Sequence, residues 1–148
     1  MKSSTNAKAA SLEILSTLTD LGASGLPEGE TEKTELRLQG NIRFDDRGNT
    51  FISYREDTEN GAILSDVKIS DGKVTVLRRG AIESTMVFEE GILHRTVYSL
   101  PPYSMDMEIM TKRIRRSTAE GSLSLSLSYE MKIGGSARSA VFKINAIY

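Results

Sequence analysis

The feature that most constrains this chain is an alternation of apolar and polar residues that runs from about Thr34 to the last residue, Tyr148. It is strictest where Leu123, Leu125, Leu127, Tyr129, Met131 and Ile133 are separated by Ser124, Ser126, Ser128, Glu130 and Lys132. A period of two puts all six apolar side chains on one face of a strand, whereas a helix would scatter them around its axis. The same rhythm carries Leu36, Leu38, Ile42 and Phe44, with Gly40 interrupting the apolar face where a bulge or sharp bend is expected.

Turn residues cut the pattern into short strands. Asp45–Asn49 turns the chain; Asn60-Gly61 and Asp71-Gly72 suit type I′ hairpins, in which both central residues need positive φ. Gly80 and Glu90-Gly91 bracket a strand at Ile82–Phe88. Pro101-Pro102 ends Leu93–Leu100, since neither proline can donate to a ladder, and Gly134-Gly135 closes the last hairpin. Before Thr34 the signals weaken. Residues 1–11 read as a flexible arm, Leu12–Leu21 as a strand favoured by its threonines, and Gly22–Lys33, with its acidic cluster, as a mobile connection.

About nine or ten strands joined by hairpins would leave two exposed edges in an open sheet, and closure removes them. The expected fold is therefore all-β: a single domain over residues 12–148 forming a closed antiparallel up-and-down barrel of about 8–10 strands. A chain of 148 residues buries enough surface for one core without help from disulfides, of which it has none, lacking cysteine. The same lack removes thiolate chemistry and most structural zinc sites. A formal net charge of -1 offers no basic excess for nucleic acid. No apolar run is long enough to span a bilayer, and Met1–Ser11 is no secretory signal, so a cytoplasmic protein is expected.

Several segments resemble the YwiB-like family of small bacterial β-barrels: Ile52-Ser53-Tyr54-Arg55-Glu56, Asp71–Gly80, Met86–Gly91 with His94, Thr96, Tyr98 and Pro101, then Met105, Met107, Ile109, Thr111 and Lys112. The resemblance implies a calycin-like, lipocalin-like barrel with no assigned activity; no cofactor is expected.

No residue set carries a catalytic or metal motif. His94, the single histidine, lacks the companions a metal ion needs and has no nucleophile elbow to serve; its bland reading is a packing residue. Arg78 shares a strand face with Val74 and Val76, so its guanidinium faces inward, either to pair with a barrel carboxylate such as Glu56 or to capture a ligand's anionic group. Tyr54, Tyr98 and Thr111 offer hydroxyls to the same pocket. Strand parity splits Lys112, Arg113, Arg115 and Arg116 between two faces, which reads as a solvated edge rather than a patch. Met105 and Met107 read as core, and Glu89 and Glu90 as turn residues.

The expected function is non-enzymatic binding of a small hydrophobic or carboxylate ligand at Arg78, His94, Tyr98, Tyr54, Glu56 and Thr111. The alternatives are a protein-interaction module with a filled barrel and, less favoured, a hydrolase or isomerase built on His94.

Overall fold

The computed structural model describes residues 7–22 and 27–148. Ten strands follow in order: β1 (Lys8–Leu21), β2 (Pro27–Phe44), β3 (Thr50–Thr58), β4 (Gly61–Ser70), β5 (Lys73–Gly80), β6 (Ser84–Phe88), β7 (Leu93–Leu100), β8 (Tyr103–Ala119), β9 (Ser122–Ile133) and β10 (Ser136–Ile147). All ladders are antiparallel, and no helix, hence none able to cross a membrane, occurs among the described residues.

The terminal strands do find each other: β1 pairs with β10 from Ser11↔Ile147 to Asp20↔Arg138. The two ends of the sheet instead fall at β6 and β7, neighbours in sequence that form no regular ladder. Their seam is pinned at one end by an antiparallel bridge, in which Glu83 and Ser99 exchange backbone hydrogen bonds of 2.9 and 2.8 Å. At its other end the Glu89–Ile92 turn joins the strands, and the Gly91 N–H donates to the Thr111 carbonyl at 2.9 Å. The barrel is thus nearly closed.

β1 starts at Lys8, so Lys8–Ser11 belong to a strand rather than to the arm expected over residues 1–11; Met1–Asn6 lie outside the described residues. β2 likewise begins at Pro27, and Thr31 and Glu32, expected in a mobile connection, pair with Thr19 and Leu18; residues 23–26 lie outside the described ones. Two long strands shield each other's backbone groups, which offsets the weak local propensity of an acidic stretch.

Two turns differ from the expected type I′. The loop between β3 and β4 is Glu59-Asn60, with Gly61 (φ 118°) opening β4, and at Asp71-Gly72 only the glycine is left-handed. Both conformations put the single positive φ on the residue that bears no Cβ. Gly134-Gly135, positive at both residues, is the hairpin with the type I′ pattern. The expected bulge is absent at Gly40: β2 stays in register with β1 as far as Ile42 and takes up β3 from Asn41, and the missing side chain instead allows a close approach, since a Cβ there would stand 2.5 Å from the Ser53 carbonyl oxygen.

The core is the inner face of the barrel. Ile42, Ile52, Val67, Ile69, Val74, Leu123, Leu125 and Ile144 are fully buried and fill one end. Phe88 and Tyr129 close over them with ring centroids 4.8 Å apart.

Candidate functional site: a lumen with an unpaired arginine

The other end of the barrel is hollow. A cavity of about 580 Å³ opens there, lined chiefly by Leu18, Met86, Met105, Met107, Met131 and Phe142, with Arg78, Tyr98 and Tyr129 as polar groups. Its size lies within the range of small-molecule pockets, and thioethers give it an adaptable wall. At the mouth, Arg138 is neutralised by Asp20, Nε to Oδ1 at 3.0 Å.

Arg78 has no such partner. Register puts Tyr54, Ser65, Arg78 and Ser84 in one row across β3, β4, β5 and β6, each opposite the next and all facing inward. Tyr54, Ser65 and Ser84 are buried; Ser65 Oγ, Arg78 Nε and Ser84 Oγ are out of contact with solvent and lack hydrogen-bond partners. Arg78 enters no salt bridge among the described residues. Buried donors without acceptors are costly, and this row carries three such atoms in succession, of which that of Arg78 belongs to a residue that also lines the cavity.

Two phenols report the field of this cation. Burial pushes the Tyr54 hydroxyl above its ordinary pKa, opposed by the charge of Arg78 and by the hydrogen-bonding pull of Ser65 and of Arg78 itself. Neither the Ser65 Oγ nor the Arg78 Nε completes a well-formed bond to that hydroxyl. Burial raises Tyr129 as well, again opposed by Arg78. The guanidinium thus lies within electrostatic reach of both rings.

The expected site residues are only partly brought together. Arg78 and Tyr98 share the cavity, and Tyr54 joins Arg78 through the row. Glu56, two residues beyond Tyr54 on the same face, forms no ion pair with Arg78 and acts on Tyr54 by charge alone. His94 faces inward opposite Ile109 but lies outside the cavity lining, its Nε2 2.8 Å from Glu89 Oε1. That contact straps the β6–β7 turn. Thr111 is buried opposite Tyr129, its Oγ1 unpaired, also outside the lining. Ser65 and Ser84 were not anticipated, because a serine at an alternating position reads as ordinary strand until register shows it beside an arginine. No group of side chains able to hold a metal ion occurs among the described residues.

The basic run also departs from expectation. A bulge between Thr111 and Arg113 resets parity: Thr111 opposes the buried Tyr129, then Arg113 and Arg115 oppose the outward Ser128 and Ser126, while Ile114 and Arg116 oppose the buried Leu127 and Leu125. Lys112, Arg113 and Arg115 therefore share the outer surface. The bulge is held by Glu90, whose Oε2 accepts the Ile114 N–H at 2.7 Å.

A barrel with one hollow end, built without helices among the described residues, belongs to a class defined by fold rather than by chemistry. The chain is a member of the family described as "Domain of unknown function (DUF1934)", whose pattern matches residues 24–144. It is similar to the uncharacterized beta-barrel protein YwiB of Bacillus subtilis (strain 168), 27% identical over 107 residues, covering 72% of this chain and 75% of the relative. The crystal structure of the ywiB protein from Bacillus subtilis superposes with a TM-score of 0.84 at 23% identity, over 98% of this chain and 94% of that one. That likeness establishes the barrel and is silent on activity.

Proposed function

We propose that the protein binds a small amphipathic molecule in the hollow end of its barrel, the anionic group at Arg78 and the apolar part among Met86, Met105, Met107 and Phe142. The observation that carries this reading is the row Ser65–Arg78–Ser84, whose buried donors are unpaired beside a cavity of about 580 Å³. One guanidinium without a competing carboxylate suits a monoanion such as a carboxylate, taken by its fork of donors. Thermal-shift titration with fatty acids of graded chain length tests it: a concentration-dependent rise in melting temperature, lost in Arg78→Met, is the expected result. No rise with any chain length up to the solubility limit overturns it.

A second reading, a protein-interaction module, has one observation in its favour. Ile92, Leu93 and Val97 are 48%, 42% and 49% exposed along the seam of the barrel, an apolar strip not expected from the sequence. Pull-down with the wild-type chain, compared with a Leu93→Ser/Val97→Ser double variant, tests it; a specific partner lost in the double variant supports this reading, and identical captures oppose it.

A further inference from the structure

Among the described residues, the outward-facing arginines on the strands are mostly neutralised. Arg37 meets Glu13 and Glu35, Arg55 meets Asp57, Arg79 meets Asp66, Arg95 meets Glu108, and Arg43 lies 4.0 Å from the ring centroid of Phe51. Arg113 and Arg115 break the rule: both are exposed and neither enters a salt bridge among the described residues. The bulge turned them onto the face that Lys112 already occupies by alternation, where Glu130 takes Lys112 at 3.2 Å and leaves the two arginines as the local excess.

What surrounds them is built to hydrogen-bond. Ser126 is the direct cross-strand partner of Arg115 on one side and of Lys143 on the other. With neighbouring strands about 4.8 Å apart, the two cationic residues flank one hydroxyl at backbone positions about 10 Å from each other, close enough for both long side chains to meet above it. Ser128, opposite Arg113, lies one step along the strand, about 7 Å away. An outer groove of about 710 Å³ runs here, bounded by Arg115, Ser117, Ser124, Ser126, Lys143 and Asn145, without a carboxylate in its lining. The nearest carboxylate along these rows, Glu13, is already engaged by Arg37 and Asn145.

We infer that this groove is a second binding site, separate from the lumen, for a phosphate group carried by a small molecule. Arg115 and Lys143 on the groove wall, with Arg113 one step outside its lining, stand around a line of hydroxyls and match a compact dianion with several acceptor oxygens; a single carboxylate would leave part of that charge unanswered. Nucleic acid fits poorly, because the positive charge ends at this groove on a chain whose net charge is -1. The site is exposed, so affinity for the bare ion is expected in the millimolar range and falls with salt.

The test is a two-dimensional NMR titration of the full chain with inorganic phosphate, set against acetate and chloride at equal ionic strength. Phosphate is expected to move the amide signals of Arg113, Arg115, Ser126 and Lys143 saturably. The double variant Arg115→Gln/Lys143→Gln, on the solvent face and compatible with folding, is expected to weaken binding at least tenfold, while the lumenal variant Arg78→Met leaves it unchanged. Equal shifts from chloride or acetate, or undiminished binding by the double variant, overturn the inference. Phosphoserine and glycerol phosphate binding tighter than free phosphate extends it to organic phosphates; their failure to bind at all also overturns it.

Discussion

Arg78 and Ser84 stand directly opposite each other across the β5–β6 ladder, and the Nε of one and the Oγ of the other are both buried with nothing to bond to. Folding has here taken hydrogen-bonding capacity out of water without replacing it. An unsatisfied buried polar group costs stability, and of the two residues only Arg78 also lines the lumen, where the proposed carboxylate would supply its acceptor.

Arg78→Met removes the orphaned donors and keeps the apolar stem. The unliganded variant is expected to be at least as stable as the parent, by about 1 kcal/mol in urea denaturation, since an unsatisfied polar group no longer has to be buried. Any lumenal carboxylate should bind about ten- to a hundredfold more weakly, read by calorimetry.

Stability should fall at alkaline pH. Burial holds the Tyr54 and Tyr129 hydroxyls above the ordinary 10.0, so the unfolded chain loses these protons first. Their contribution is fully present below pH 10 and is lost as pH rises from there through the folded-state values. Urea midpoints between pH 9 and pH 11 are expected to decline (~9 and ~11 bracket the reference value), and Tyr54→Phe should flatten the slope.

Gly40→Ala is expected to cost about 2 kcal/mol, the scale of overpacking a tight interior. The new methyl would stand 2.5 Å from the Ser53 carbonyl oxygen and 2.6 Å from Leu12 Cδ1, and the first is backbone that cannot step aside. Chemical denaturation gives the number; a change under 0.5 kcal/mol would show that the strands around Gly40 move apart freely (~0.5 being the usual surface-site scatter).

Glu90→Ala should expose the bulge in β8. The carboxylate that accepts the Ile114 N–H at 2.7 Å covers an edge that β7, ending its pairing at Met110, does not reach. A loss of about 1 kcal/mol is expected, with faster amide hydrogen exchange at Ile114. Unaltered exchange at that amide would mean the edge is protected by something else.

Much of the barrel could be read from the chain because period two is a local property. Leu123 through Ile133 declare their inner face without knowledge of any neighbour, and Arg78 is placed inward by Val74 and Val76 in the same way. What escaped depends on relations between strands. Nothing at Lys112 announces a bulge, as no glycine marks it, yet that one residue reverses the facing of everything after it. The pairing of Arg78 with Ser65 and Ser84 follows from register, and register follows from turns, one of which sits at Glu59-Asn60, a residue before the expected Asn60-Gly61. His94 points inward as parity says, but its distance from the cavity is fixed by how far β7 slides along β8.

The seam between β6 and β7 gives the cylinder one poorly stitched joint, and it runs alongside Met86 and Tyr98, both part of the cavity wall. Parting the strands there breaks the two backbone bonds between Glu83 and Ser99 and no full ladder, whereas any other opening must unzip a complete strand pair. Thermal breathing is therefore expected to concentrate on that side, with amide exchange in Ser84–Phe88 and Leu93–Ser99 outpacing β9 and β10, so that the wall beside the cavity is its most yielding part.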